Sequence, residues 1–256
     1  MLYKSYKVVT NVIMQISLTL QSGESMRLRD MKHASLIISI LLFCFNGQSQ
    51  SILNPNYGLK APLTAEIVRV DFNSDATVVW LTIMSDINNA WFCIDRNTFL
   101  IKPDGMKVRL KSLKGLPYCP ATYRFKKPGE KVSVSMTFPG TGLLPWFSVV
   151  EECTGGCLSF RGVVTDGELN NRLNEAYSLS DKGEEMAAYS LFEEIINETD
   201  SLNLGIEGSI YTNLILIDHR NGRQQTARGW YDRMMTSDTP DLGLYLENLR
   251  REGIDY

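Results

Sequence analysis

The chain has 256 residues, 44% hydrophobic and 21% charged, a composition typical of globular proteins that argues against a disordered or low-complexity chain. Residues 51–256 carry 21 basic and 27 acidic side chains, without long runs of one sign. The resulting net charge of −6 disfavours nucleic acid or an anionic membrane as the main partner.

The stretch 31–50, MKHASLIISILLFCFNGQSQ, has the layout of a secretory signal peptide. A basic start at Lys32 precedes an apolar run over 34–45, and a polar segment with a cleavage site just after Ser49 follows. The run is too short for a stable membrane anchor, although a retained anchor or a buried core helix is the alternative. We therefore expect an exported protein, periplasmic or extracellular, with no transmembrane segment in the mature chain.

The residues before this signal are interpreted as an upstream extension over 1–30, so that Met31 or Met26 is the natural start. Cys44 raises the alternative of a lipoprotein. Phe43 stands before it where a small residue is needed, and the apolar run continues past it, so the signal-peptide interpretation is preferred.

Residues 51–165 show the pattern of an antiparallel β-sandwich of the immunoglobulin-like class. Six to eight short segments rich in β-branched and aromatic residues alternate with turn signals, and no helical pattern interrupts them. Pro103-Asp104-Gly105 is the clearest hairpin signal. Most of the aromatic residues in these segments are expected in the core of the sandwich.

The period changes after Asp166, which is placed to cap a helix that buries Leu169. Apolar residues then recur at intervals of three and four through 166–256, which predicts about five short helices. We thus expect an α+β chain with two domains, a sandwich over 51–165 and an all-α unit over 166–256.

The helical unit resembles tetratricopeptide repeats, over roughly residues 168–240. The resemblance rests on small and aromatic residues at packing positions of two copies: Ala176, Leu179, Ala188 and Phe192 in the first, Ala227 and Tyr231 in the second. The step from Phe192 to Tyr231 is 39 residues, whereas the repeat has about 34. The resemblance implies a protein-interaction scaffold; an ordinary helical bundle is the alternative.

The overall layout also resembles a group of uncharacterised exported proteins of Gram-negative bacteria. The signal, the stretches GLPYCPATYRFKKPGEKVSVSMTFPG and WFSVVEECTGGCLSFRGVV, and the helical tail carry this resemblance. It implies a compartment and an architecture, and no activity.

No arrangement of residues indicates catalysis, a cofactor or a metal site. His219 is the one histidine of 51–256, and the chain has neither a nucleophile-elbow nor a phosphate-loop motif. The stretch 71–82 resembles a calcium loop at three positions only and is interpreted as a strand turn. Adjacent carboxylates such as Glu151-Glu152 fit a solvated face, although a glycosidase-like pair distant in sequence is an open alternative.

The four cysteines of 51–256 are expected to form two disulfides, since their number is even and the chain is exported. Cys153 and Cys157 flank Thr154-Gly155-Gly156, which predicts a three-residue hairpin loop with the two cysteines facing each other at its base. Of the three pairings, Cys153–Cys157 with Cys93–Cys119 is favoured. A four-cysteine zinc site or a redox motif fits the spacing less well.

These patterns predict a non-enzymatic binding or scaffold protein of the cell envelope, in which the helical half contacts an unknown protein partner. A purely structural envelope protein is equally compatible with them. The alternative from another class is a carbohydrate-binding accessory protein or glycan hydrolase, suggested by Trp91, Tyr118, Trp146 and Phe147 near loops. Exposure discriminates between them: a row of exposed aromatic rings favours glycan, and buried rings beside an open helical groove favour the scaffold.

Overall fold

The structure, a computed structural model, describes residues 50–153, 155–199 and 203–256. The extension predicted over 1–30 and the signal peptide predicted over 31–50 lie outside these residues, apart from Gln50, which begins the first strand. Antiparallel sheets form the first part of the described chain and five helices form the second. The prediction of an α+β chain with strands before helices is confirmed at this level.

The strands belong to two five-stranded sheets and a small ribbon. Sheet 1 has the order β1-β3-β4-β10-β8, sheet 2 the order β2-β12-β11-β6-β7, and β5 pairs with β9. All pairs between these strands are antiparallel. The strands are β1 (Gln50–Leu53), β2 (Leu59–Ala61), β3 (Ala65–Phe72), β4 (Ala76–Met84), β5 (Trp91–Phe92), β6 (Thr98–Ile101), β7 (Lys107–Arg109), β8 (Ser112–Lys114), β9 (Tyr123–Arg124), β10 (Lys131–Pro139), β11 (Trp146–Glu151) and β12 (Ser159–Val164).

The two large sheets bury their inner sides in one shared hydrophobic core. Alternation dictates this in β4, where Val79, Leu81 and Ile83 are buried and the residues between them are partly exposed. Phe72 of sheet 1 meets Phe147 of sheet 2 edge to face, with ring centroids 6.1 Å apart. Each fully buried phenylalanine of this kind contributes about 1.5–3 kcal/mol of burial free energy.

Two stretches rich in strand-forming residues, KVRLKSL (107–113) and WFCIDRNTFLI (91–101), are each divided between two strands. In KVRLKSL, β7 belongs to sheet 2 and β8 to sheet 1, because the chain crosses between sheets at Leu110 and Lys111. The N–H of Leu110 donates to the carbonyl of Thr98 and that of Lys111 to the carbonyl of Thr137, so both corner N–H groups stay paired. WFCIDRNTFLI is divided in the same way into β5 and β6. The Pro103-Asp104-Gly105 hairpin is confirmed, since it joins β6 to β7.

The loop between β11 and β12 is longer than the predicted three residues. The strands end at Glu151 and begin again at Ser159, so that Cys153 and Cys157 lie outside the ladder rather than opposite each other in it. The N–H of Leu158 bonds to the Glu151 carboxylate at 2.6 Å, while the carbonyl of Leu158 accepts the Glu151 N–H. This side-chain contact ends the ladder early, which a pattern of strand residues does not reveal.

The helices are α1 (Gly167–Asp181), α2 (Glu185–Thr199), α3 (Glu207–Arg220), α4 (Gln224–Thr236) and α5 (Leu242–Arg251). Asp166 caps α1 as predicted, its Oδ1 accepting the N–H of Leu169 at 2.7 Å. Each of the first three helices packs against the next, and α5 packs against α3. A second hydrophobic core lies among them.

A buried polar network crosses this helical core. Asp218 of α3 is fully buried and its carboxylate accepts from Nε of Arg223 at 2.6 Å. The hydroxyl of Tyr189 on α2 lies 3.4 Å from the same carboxylate and accepts from Nε1 of Trp230 on α4 at 2.9 Å. A buried carboxylate is tolerated only when it is paired in this way, so the network fixes how α2, α3 and α4 meet.

Strand β11 is buried on both of its sides. Phe147 and Val149 face the core between the sheets, whereas Trp146 and Ser148, which point the other way, are also buried. Nε1 of Trp146 donates to the carbonyl of Asn203, just before α3, at 2.6 Å. The outer side of sheet 2 is therefore covered where the chain approaches α3.

Candidate functional site

A cleft of about 640 Å³ lies where sheet 1 and the helices approach each other; we call it the junction cleft. One wall is the connection from β1 to β2, residues 54–57. A second comes from the outer side of sheet 1, and the third from α1 and α3, which contribute Tyr177 and Ser209. Clefts of this size that gather polar groups from several elements are typical of binding sites.

The first wall is a connection without regular secondary structure, and the helices hold it in place. The N–H of Asn56 donates to Oδ1 of Asn170 on α1 at 2.7 Å, and its Nδ2 donates to Oδ1 of Asn174 at 3.1 Å. Nδ2 of Asn170 in turn donates to the carbonyls of Val164 and Asp166, at 3.0 and 2.9 Å. Asn170 thus joins the wall to the end of β12 and the start of α1.

The same segment continues through β2 to Ala61, and a further helix touches it. The Tyr245 ring of α5 lies against both Gly58 and Gly208 of α3, close enough that a Cβ on either glycine would overlap it. Leu59 packs on the helical core. Residues 54–61, which we call the 54–61 segment, therefore lie along a face built from α1, α3 and α5.

The wall from sheet 1 owes its shape to a β-bulge. The pairing of β3 with β4 shifts register between Ile67 and Arg69, which leaves Val68 unpaired on β4 and 37% exposed. The carbonyl of Val68 instead accepts the N–H of Asn54 at 3.0 Å. The bulge therefore links the first two walls and presents an apolar side chain to the cleft, beside Thr82.

The Glu66 carboxylate and the two tyrosine hydroxyls of the cleft are hydrogen-bonded within the protein. The Glu66 carboxylate accepts from the Tyr57 hydroxyl and from Nζ of Lys60. Burial, followed by this bond to Glu66, raises the pKa of Tyr57, so its hydroxyl stays a donor at neutral pH. Burial also raises the pKa of Tyr177, whose hydroxyl lies 3.0 Å from Oγ of Ser209.

The cleft can recognise polar groups, but its lining carries a single carboxylate, Glu66, and a single amine, Lys131. A hydrolytic pair of carboxylates needs a second member at a set distance. His219 does not contribute, because it lies near the end of α3, ten residues and about 15 Å along the helix from Ser209. The arrangement favours hydrogen bonding over proton transfer.

The cysteines form the two pairs that the sequence favours. Cα atoms are 5.1 Å apart in Cys93–Cys119 and 5.7 Å apart in Cys153–Cys157. Gly155 and Gly156 both have positive φ, as a tight connection requires, and Thr154 lies outside the described residues. Two disulfides indicate a non-reducing, exported environment. Within the described ranges, no cluster of three or more His, Cys, Asp or Glu side chains could hold a metal ion.

All six residues predicted for repeat packing lie in or against the helical core. Ala176, Ala188, Phe192, Ala227 and Tyr231 are buried, and Leu179 is partly buried against them. Phe192 meets Tyr177 edge to face at 5.3 Å. These positions pack the helices together and do not line the junction cleft.

The four aromatic residues suggested for glycan binding differ in how far they are exposed to solvent. Trp146 and Phe147 are buried, and Tyr118 is half-buried under the Arg96 guanidinium, 4.1 Å from the ring centroid. Trp91 alone among these four is well exposed, at 60%. They do not form a row of exposed rings.

Sequence reasoning did not identify Asn56, Asn170 or Tyr245 as site-forming residues. An asparagine inside a helix carries no pattern that distinguishes a surface side chain from one holding a distant segment. The one available signal was the pair Asn54 and Asn56 around Pro55, in a stretch with neither helical nor strand periodicity.

Comparisons of the chain with protein-family models, with curated proteins and with solved structures found no match. Among the helices of the described ranges, none combines the length and the apolar character needed to cross a membrane. The function must therefore be argued from the cleft and the surfaces themselves.

Proposed function

We propose that this protein is an exported, non-catalytic binding protein of the cell envelope, and that the junction cleft receives an extended segment of a partner protein. In this proposal the two sheets form an immunoglobulin-like sandwich and the helices a tetratricopeptide-like unit. The protein lies in the periplasm or outside the cell, where its two disulfides are stable.

The observation that carries the proposal is the way the helices hold the 54–61 segment. Asn170 accepts a backbone N–H of this segment, Asn174 accepts from a side chain, and the Tyr245 ring lies against Gly58. A face built from α1, α3 and α5 thus already binds a polypeptide segment that is mostly outside regular secondary structure. The junction cleft is the open space beside that segment.

The lining of the cleft suits an extended chain. A peptide backbone offers one donor and one acceptor per residue, and the hydroxyls of Thr82, Tyr177 and Ser209 can pair with both kinds. Val68 offers an apolar contact between them. Glu66 and Lys131 provide charges of opposite sign that would fix the direction of a bound segment.

The alternative of a glycan-binding accessory protein or hydrolase receives less support. Its aromatic platform is absent from the described surface, where Trp91 is exposed without a neighbouring exposed ring among the four suggested residues. Its pair of carboxylates is also missing from the lining of the junction cleft.

Site-specific photo-cross-linking in intact cells tests the proposal. A photoreactive amino acid at Val68 should give a discrete adduct with one partner protein, because this side chain faces the cleft. The matched control is Met235, at the end of α4, which is 44% exposed and does not line the cleft. Adducts of equal yield from both positions, or none from Val68, would refute the proposal.

A further inference from the structure

The overall negative charge conceals a strongly basic region. Residues 87–131 contain ten Lys and Arg side chains against three Asp and Glu, whereas residues 166–256 contain eight against eighteen. The net charge of the whole chain does not reveal that basic and acidic residues are concentrated in different regions. The basic region lies within the sheets and the acidic one within the helices.

Part of the basic region forms one hydrogen-bonded unit, which we call the basic tip: residues 85–92 and 123–131. In the ribbon, Trp91 pairs with Arg124. The N–H of Phe125 donates to the carbonyl of Ala90 at 2.9 Å. Further along, Ser85 donates to the Glu130 carbonyl at 3.0 Å and accepts from Gly129 at 2.7 Å. Backbone hydrogen bonds therefore hold the two stretches side by side along their length.

A buried side chain and a disulfide hold the basic tip to the rest of the protein. Phe125 is 3% exposed and packs into the core between the sheets. Phe92 is followed directly by Cys93, which the disulfide joins to Cys119. The exposed residues of the tip are thus carried on a stapled base rather than on a free loop.

Two large apolar side chains of the basic tip are exposed to solvent. Ile87 is 61% exposed and Trp91 is 60% exposed. Single exposed apolar residues are common, but two within one small unit that also carries four exposed cations indicate an interaction surface.

The cations of the tip are available to a partner. Arg124, Lys126, Lys127 and Lys131 are exposed and form no ion pair within the described ranges. Of the two acidic residues, Glu130 is occupied, accepting from the Tyr123 hydroxyl at 2.7 Å and from the Lys126 N–H at 2.5 Å. Asp86 is exposed and is the remaining counter-charge.

We propose that the basic tip docks the protein on an anionic lipid surface, with Ile87 and Trp91 entering the headgroup region and the surrounding cations facing lipid phosphates. Tryptophan prefers the membrane interface, and Lys and Arg near an anionic leaflet are attracted to its surface potential. The acidic helical region is repelled by the same surface, which favours attachment through the tip.

The chemistry of the tip favours lipid over an anionic glycan. A sugar ring can stack on Trp91 but does not stabilise the exposed aliphatic side chain of Ile87. Moving Ile87 from water into the apolar layer of a membrane lowers its free energy. Binding that combines apolar burial with electrostatic attraction is the mode of peripheral membrane proteins. This site is separate in function from the junction cleft, of which the tip shares Lys131 alone.

Vesicle co-sedimentation of the oxidised protein tests the proposal. The protein should bind phosphatidylcholine vesicles that contain phosphatidylglycerol, and bind pure phosphatidylcholine vesicles far more weakly. The double variant Lys126→Glu/Lys127→Glu should lose at least about twentyfold in affinity, since each cation contributes about fivefold. These lysines do not line the junction cleft, so cross-linking from Val68 should persist in this variant.

The matched control is Lys182→Glu/Arg228→Glu, which changes the net charge equally at two exposed positions, one just after α1 and one in α4, and should bind as the unmodified protein does. Tryptophan fluorescence should shift to shorter wavelength on binding, and Trp91→Phe should remove that shift. Equal losses in both double variants, or equal binding to both vesicle types, would overturn the proposal. Binding to soluble dextran sulfate without binding to vesicles would overturn it in favour of a glycan.

Discussion

Oδ1 of Asn170 accepts the backbone N–H of Asn56 at 2.7 Å, across 114 positions of sequence. The same side chain donates to the carbonyls of Val164, at the end of β12, and of Asp166, just before α1, and it is 5% exposed. One asparagine therefore holds a wall of the junction cleft against the helices and connects the two parts of the described chain.

Replacing Asn170 by alanine should lower the free energy of unfolding by about 2–3 kcal/mol, because buried backbone groups lose their partners. Urea denaturation measures this cost. Asn174→Ala is the control: Asn174 is exposed and accepts one bond from Asn56, so its loss should cost about 0.5 kcal/mol. Similar costs for the two variants would contradict the role assigned to Asn170.

Gly208→Ala should destabilise the protein by about 1–3 kcal/mol, because the added methyl group would lie 2.7 Å from Cζ of Tyr245 and closer still to Cε2 and Cδ2. Gly229→Ala, in α4, provides the opposite case. Nothing lies within 4 Å of a Cβ there, so the higher helix propensity of alanine should raise stability by about 0.5–1 kcal/mol. Thermal melts of both variants would show shifts of opposite sign; shifts of the same sign would argue against the Tyr245 contact.

Removing the Cys93–Cys119 bridge should cost more stability than removing Cys153–Cys157. The two bridges have sequence separations of 26 and 4, for which the chain-entropy relation gives about 3.5 and about 2 kcal/mol. Paired Cys→Ser variants, each compared with the intact protein in urea, measure the two costs. A larger cost for Cys153→Ser/Cys157→Ser would show that this bridge stabilises the folded protein by more than the entropy it removes from the unfolded chain.

The buried carboxyl of Glu151 should make stability depend on pH. Burial raises its pKa above the ordinary glutamate value, although the N–H groups of Leu158 and Asp95 act in the opposite direction. A carboxyl with a raised pKa binds more protons in the folded state, so its contribution is fully present below the unfolded value and is lost as pH rises through the raised one.

Glu151→Gln isolates this contribution, since every other group is common to both proteins. The free energy of unfolding of the unmodified protein, relative to the variant, should fall as pH rises through the window just above the ordinary glutamate value. Denaturation in a series of buffers gives this difference directly. A difference that stays constant across the window, or that rises with pH, would contradict the raised pKa.

The helix cap and the hairpin turn were predictable because each depends on residues that are close in sequence. Asp166 caps a helix through a bond to Leu169 three residues on, and Gly105 supplies the positive φ of a hairpin. The same holds for the regular alternation of β4 and the helical spacing of Phe192, Ile195 and Ile196.

What could not be predicted depends on partners far away in sequence. The crossing of the chain between sheets at Leu110 is fixed by a carbonyl of Thr98, and the early end of β11 by the Glu151 side chain. The junction cleft depends on Asn56, whose polar context resembles any surface turn. Periodicity reports which side of an element is apolar, and it does not report which element will cover that side.

The burial of β11 on both sides has a consequence for the order in which the molecule can fold. Synthesis runs from the N-terminus, so the outer surface around Trp146 is made before the polypeptide that covers it. Asn203, which accepts the Trp146 N–H, and Tyr245, which lies against Gly58, are added only near the end of synthesis. The first strands can therefore reach their final state only after the last fifth of the polypeptide has been made. A nascent molecule that lacks this part would expose apolar surface to chaperones and proteases.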